Sequence, residues 1–352
     1  MDILQVCAYA APYPGNFIRS LLALEQKAAE NGHRTLYAFP ETARKIPWCE
    51  ELAKHAKVYF LPLSKARIRL KTYIALHDIL NENPDIKVIH SHFELYDFPI
   101  VLVAPKNIKV FWHLHDAIQS FAGLKNRLVH RVQYGLIKGR AQLLSVAEEN
   151  GNYAISCGFP KEHVTLVPNA IDLERIQKVD LNRVPEYDFL IFGWELERKG
   201  VDLCFEAVRR LKTPIKVVLI AKAGVKDEIT RRFGHCDNID VCEPISDVNL
   251  LYCQSKAFLH ISRAEGQSYA LIEAIYAGLP ALISDIPENM FATQFGNVFV
   301  AKSEDANDIA KRMEELLDAT LDPIASKNNR QIIEEKYSTA VWANRVFEIY
   351  GI

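Results

Sequence analysis

Nowhere in the 352-residue chain do apolar residues run on for the roughly 20 positions that a membrane-spanning helix needs. The opening MDILQVCAYA also lacks the basic n-region and following apolar stretch of a secretory signal, so a cytoplasmic protein is expected. Paired cysteines are missing too. Cys7, Cys49, Cys157, Cys204, Cys236, Cys242 and Cys253 are odd in number, scattered and never spaced as CxxC, which disfavours a disulfide framework or a zinc site and fits a reducing compartment. There is no repeat array, heptad run or low-complexity tract, which argues against solenoids and coiled coils. Charge of one sign is scarce as well. The formal net charge is −2: residues 1 to 172 hold 20 Lys and Arg against 16 Asp and Glu (+4), and the remainder 22 against 28 (−6). Neither half has the basic face with reading motifs that a nucleic-acid partner would require.

What is present is ordinary for a folded soluble chain, 49% hydrophobic and 24% charged, at a length that exceeds one hydrophobic core. Short apolar runs alternate with helical patterns. ILQVCAYA (3–10), the strand after NGH (31–33), VYFLPL (58–63), KVIHSHF (87–93), KVFWHLHD (109–116), AQLLSVA (141–147) and VTLVPN (164–169) read as strands, with helices between them. Near-continuous apolar strands of this kind belong to parallel sheets covered on both faces. The poorly periodic 173–187 reads as a linker, after which the rhythm restarts with DFLIFG (188–193) and runs to NVFVA (297–301). The pattern predicts α/β architecture: two Rossmann-like, doubly wound domains, 1–172 and 188–338, followed by a last helix at about 339–352. Ligands of such sheets sit at the carboxyl ends of the strands.

The most informative stretch is RAEGQSYALIEA (263–274). Glu265 follows a strand, Gly266 permits a turn, and Ser268 is placed to cap a helix whose free N–H groups and dipole favour an anion. Glu273 sits among Tyr269, Ala270, Leu271, Ile272, Ala274, Ile275 and Ala277, so its carboxylate is buried and needs partners. Ribose hydroxyls would serve, and so would an ion pair with Arg263. A capping box is disfavoured, because Leu271 stands where Glu or Gln is required.

The run SRAEGQSYALIEAIYAGLPALISDIPE (262–288) resembles the E-x7-E element of family 4 glycosyltransferases, which are two-domain GT-B enzymes using nucleotide sugars. VPNAID (167–172), GWELERKG (193–200), NGH (31–33) and the closing YSTAVWANRVFEIY (337–350) are similar to further motifs of that family, in the same order. The resemblance implies the GT-B fold, with the two domains facing a central cleft, the first binding acceptor and the second the donor, and with the last helix packing back on the first domain. It implies that Glu273 holds the ribose and that Glu265 contacts the donor sugar. The N–H groups of Ser268, Tyr269 and Ala270, in the turn with Gly266 and Gln267, would bind the diphosphate. Lys199 and Arg198 would neutralise it, and the loop at Pro244 and Ile245 would meet the base. Two positions depart from the pattern: Trp194 stands where Arg is usual, and Asn16 replaces a second glycine beside Gly15 in PYPGN (12–16), a loop that approaches the diphosphate.

Histidines crowd the first half. His115, followed by Asp116, is similar to the family's H-D and is thereby expected to contact the sugar near the reacting carbon; His113 is the lesser candidate. His90 and His92 read as hydrogen-bonded core residues. A metal held by these four is conceivable, since alternate strand residues share a face, but the family needs none, so no metal and no cofactor are expected. Two basic stretches, KARIRLK (65–71) and GLKNRLVHRVQYGLIKGR (123–140), mix cations with apolar residues at helical spacing. They suit either the inner membrane surface or ordinary solvated faces. The expectation is a retaining glycosyltransferase moving sugar from a UDP-linked donor to a hydroxyl of a glycan or lipid-linked saccharide, in polysaccharide or glycoconjugate synthesis. A UDP-sugar epimerase on the same fold and a non-catalytic partner subunit are the alternatives.

Overall fold

A computed structural model describes residues 1–117, 123–137, 139–180 and 182–352. The apolar runs form strands and the periodic segments between them form helices. In chain order the first part contains β1 (Asp2–Cys7), α1 (Gly15–Glu30), β2 (Arg34–Pro40), α2 (Pro47–Leu52), β3 (Lys57–Leu61), α3 (Leu70–Glu82), β4 (Ile86–His92), α4 (Asp97–Val103), β5 (Lys109–Leu114), α5 (Leu124–Leu136), β6 (Gln142–Ser145), α6 (Glu148–Ser156) and β7 (Val164–Leu166). The second contains β8 (Tyr187–Phe192), α7 (Val201–Arg210), β9 (Val217–Ile220), α8 (Lys226–Phe233), β10 (Ile239–Cys242), α9 (Val248–Gln254), β11 (Ser255–His260), α10 (Tyr269–Ala277), β12 (Ala281–Ser284), β13 (Val298–Ala301), α11 (Ala306–Asp318) and α12 (Ala325–Lys336), before α13 (Thr339–Tyr350). The short α2, α4 and α6 give too few turns for a periodic signal. The polar α12 buries only a narrow stripe that includes Ala325, Asn329 and Ile333, so the sequence pattern missed it.

The strands make two all-parallel sheets, ordered β3-β2-β1-β4-β5-β6-β7 and β10-β9-β8-β11-β12-β13. The chain divides into one compact unit of residues 1–171 and 338–352, and a second of 172–337. Within the first, α13 lies against α1, and its Trp342, Val346 and Tyr350 join Ile3, Leu24, Val88 and Phe111 in one buried cluster. In each sheet the strand order reverses at one place, between β1 and β4 and between β8 and β11. Those switch points open the crevices in which such sheets bind ligands.

The segment read as a linker is not loose. Its Val179 N–H donates to the Ala277 carbonyl at 2.8 Å, Glu186 N–H to that of Gln254 at 2.9 Å, and the Arg183 guanidinium reaches the carbonyls of Tyr252, Cys253 and Ser255. These polar anchors lie far apart in sequence and leave no periodic trace. Leu181, within that segment, lies outside the described residues, as does Lys138 of the second basic stretch. Among the described residues no helix is long and apolar enough to cross a membrane.

Candidate active site

In the second unit, the loop after β8 and the loop after β11 are forced together by glycine. Gly200 adopts φ +68°, and a Cβ there would run into the Ile261 carbonyl, so only glycine lets the backbones approach this closely. The approach is locked by Arg263 N–H donating to the Arg198 carbonyl at 2.7 Å. It brings Lys199 Nζ to 2.5 Å from Glu265 Oε1 and Arg198 Nη1 to 3.0 Å from Glu265 Oε2. Arg198 also spans both carboxylate oxygens of Glu195 at 3.0 Å each. Burial pushes the Glu265 carboxyl up, but Lys199 and Arg198 outweigh it and hold it down at about 2. His260, 3.7 Å away, is held down at about 3 by burial and so stays neutral beside the carboxylate.

Three residues after Glu265, Ser268 and α10 begin the helix expected from the sequence. The Ser268 hydroxyl accepts the Leu271 N–H at 3.3 Å, and every residue from Leu271 to Ala277 is buried. The first-turn N–H groups of a helix have no intrahelical acceptors, and these face the carboxyl end of the sheet as an anion site does. Gly266 and Gln267 are buried in the preceding turn, with Tyr269 and Ala270 half-buried in the first helical turn.

Glu273 is 5% exposed and already has partners. Arg175 Nη2 lies 2.9 Å from its Oε1, and the Tyr252 hydroxyl donates to its Oε2 at 3.0 Å. The structural pair anticipated with Arg263 does not form. Arg263 instead binds Asp202 at 2.7 Å through two nitrogens, and Glu304 at 2.5 and 3.0 Å. Arg175, Tyr252 and His260 were missed because Arg175 sits in the aperiodic 173–187 and the other two look like core positions. Pro244 is half-buried and Ile245 exposed in the loop after β10. Trp194 is half-buried in the wall of a pocket of about 440 Å³ that includes Gly193, Arg198, Lys222 and Arg232.

In the first unit, Gly15 opens α1 with φ +55°, just after β1, and Asn16 beside it is buried. At the ends of β4 and β5 the imidazoles of His90, His92, His113 and His115 are all buried. His115 Nδ1 is 3.1 Å from Asn169 Oδ1, and its Nε2 is 3.0 Å from His92 Nδ1; burial holds it down at about 4. Ring nitrogens of His90, His92 and His113 come within 4.8 Å of one another. The His90 and His113 rings lie parallel, 9° apart at 5.3 Å. Both nitrogens of His92 are hydrogen-bonded.

A family model described as "Glycosyl transferases group 1" matches residues 187–319, and one described as "Glycosyltransferase Family 4" matches residues 19–175. No curated protein sequence matches at a significant level. Among solved structures, HepE from Anabaena in complex with UDP is similar at a TM-score of 0.81 and 15% identity, with 100% of each chain covered. Sucrose-phosphate synthase from Thermosynechococcus elongatus is similar at 0.78 and 16%, covering 99% of this chain and 98% of that one. The lipopolysaccharide outer core galactosyltransferase WaaB is similar at 0.74 and 14%, covering 100% and 99%.

Proposed function

Because the chain belongs to the family 4 glycosyltransferases of GT-B fold, we propose that it moves a sugar from a UDP-linked donor to a hydroxyl of a glycan or lipid-linked saccharide, with retention of configuration. The observation that carries this reading is the buried Glu265, paired with the half-buried Lys199 and Arg198 just before α10, with Glu273 buried on that helix. Glu273 takes the ribose, the turn from Gly266 to Ala270 takes the diphosphate, and Glu265 takes the transferred sugar. Lys199 and Arg198, pre-positioned by Glu265, face the charge that grows on the leaving diphosphate, and such fixed charges act most strongly in the transition state. Arg198, whose fork spans Glu195 in this structure, would exchange that carboxylate for the diphosphate and so stand in for the arginine that Trp194 replaces. The base rests at Pro244 and Ile245. In the first unit the catalytic group is His115. The leaving phosphate takes the acceptor proton on the same face, so no covalent nucleophile is required. HepE, which is also solved with UDP-glucose, and WaaB support the choice of donor and of a saccharide acceptor.

The acceptor is proposed to be met at an anionic bilayer. The described part of α5 carries Lys125, Arg127 and Arg131 and no acidic residue, while Leu124, Leu128, Val132 and Leu136 stand exposed. The stretch 65–71 exposes Ile68 and Leu70 in the same way. Arg67 lines one small cavity with His130, Gln133 and Tyr134 of α5, so the two basic stretches meet on one side of the first unit.

The test is incubation with UDP-sugars, with and without a lipid-linked saccharide, followed by proton NMR of the products. Transfer with the donor's anomeric configuration kept is expected. A new epimer formed fast without acceptor would overturn the reading in favour of an epimerase, and an unreacted donor would favour a non-catalytic subunit.

A further inference from the structure

His92 and His115 sit in the middle of an unbroken line of hydrogen bonds through the core of the first unit. From Asn169 Oδ1 it runs to His115 Nδ1 (3.1 Å), from His115 Nε2 to His92 Nδ1 (3.0 Å), and from His92 Nε2 to the side-chain amide of Gln5 (3.0 Å). Gln5 then meets the Tyr350 hydroxyl at 3.1 Å, and that hydroxyl meets His90 Nδ1 at 2.7 Å. The line ends at His90 Nε2, which is buried and has no partner. It therefore joins β1, β4 and the C-terminal α13 to the motif VPNAID.

Counting protons fixes its direction. Two amide oxygens flanking two imidazoles would need three N–H groups between them, and two neutral rings supply two. Burial holds both rings neutral, His92 well below its ordinary value and His115 at about 4. One of the two amides must then present its NH2 group instead, since the orientation of an amide is set by its network. If that amide were Asn169, Gln5 would donate to Tyr350, Tyr350 to His90 Nδ1, and His90 Nε2 would carry a buried N–H with no acceptor. If it is Gln5, the Tyr350 hydroxyl donates to the Gln5 oxygen and accepts from His90 Nδ1–H, leaving at His90 Nε2 only a bare lone pair. Orphaned donors cost more than under-used acceptors and are rarer. The second arrangement wins. His113 obeys the same preference: its Nε2 donates to the Val167 carbonyl at 3.4 Å, and the unpartnered Nδ1 is a lone pair.

We propose that Gln5, oriented by Tyr350, is a positioning residue that holds His115 in its Nδ1–H tautomer through His92. The consequence rests on His115 being the catalytic group proposed above: an oxygen of the sugar that takes the place of Asn169 at Nδ1 meets a donor, and never a lone pair. Tautomer, more than charge, is what the imidazole contributes.

The test is nitrogen-15 NMR of the histidine rings in the wild-type chain without ligand. The expected spectrum shows His90, His92 and His115 as Nδ1–H tautomers and His113 as Nε2–H; an Nε2–H tautomer at His115 overturns the proposal. The variant Gln5→Glu offers His92 only acceptors, so it is expected to reverse His92 and His115 to Nε2–H and to lower kcat about tenfold or more while donor KM changes little. An unchanged His115 tautomer in that variant also overturns the coupling. If Gln5→Glu does not fold, the wild-type spectrum decides alone. Correct tautomers in a chain that transfers no sugar would sink the transferase reading and leave the network standing.

Discussion

Glu273 shows what a single residue reveals and hides. Its burial within an apolar helical run was legible, because every neighbour from Tyr269 to Ala277 said so, and with it the need for polar partners. The identity of those partners was not. Arg263, six residues before the start of α10, was the nearest cation in sequence, yet it is consumed by Asp202 and Glu304, while Arg175 arrives from nearly 100 residues away in an aperiodic segment. The pair with Arg175 also makes a prediction. Removing a partner from a buried carboxylate is costly, and here, with the Arg175 side chain a third exposed, Arg175→Ala is expected to destabilise the chain by about 2 kcal/mol. Ribose hydroxyls would restore the lost hydrogen bonds to Glu273. Calorimetry with and without saturating UDP should therefore give a larger rise in Tm for Arg175→Ala than for the wild type; equal rises would remove Glu273 from the ribose site.

At the scale of elements, the strands and long helices followed from period and run length. The close approach of the β8 and β11 loops is half-legible: Gly200 was visible as part of a motif, but that its missing Cβ clears the Ile261 carbonyl is a fact of the fold. The α5 helix is the opposite case. Its composition was plain, but whether its apolar residues were core or surface depended on which face the sheet covers. Only His130 and Tyr134 of this helix are buried, and Leu124, Leu128 and Leu136 are 91%, 64% and 70% exposed. A monomer gains nothing from such a face in water. Replacing those three leucines by serine is expected to weaken sedimentation with anionic vesicles by about tenfold or more, by loss of apolar burial alone. UDP binding should be unaltered. Equal vesicle binding by variant and wild type would return α5 to the class of solvated helices.

For the whole molecule, buried imidazoles govern acid stability. His90, His92, His113, His115, His130 and His260 are all held below their ordinary value by burial, His115 at about 4 and His260 at about 3. Unfolded histidine takes its proton near pH ~6.5, so between there and pH ~4 the unfolded chain binds more protons and stability falls as pH falls. Asp97, raised to about 7 by burial, and Glu94, raised by burial as well, act the other way, losing stability as pH rises, but they are two protons against six. Scanning calorimetry should show Tm dropping steeply from pH ~6.5 to ~4; a flat profile would mean the imidazoles are charged in the folded state. The two sheets were readable because parallel strands are apolar along their whole length. The histidine network was not, because no one-dimensional pattern joins Gln5, His92 and Tyr350. The central claim, that the second unit binds the nucleotide of a UDP-sugar between the turn at Glu265 and the buried Glu273, is tested most directly by isothermal titration of UDP, GDP, ADP and CMP into the wild type and Glu273→Gln. One saturable UDP site per chain, tighter than for the other nucleotides and weakened by about tenfold or more in the folded variant, is the predicted result. Binding of no nucleotide, or UDP binding indifferent to Glu273, would contradict it.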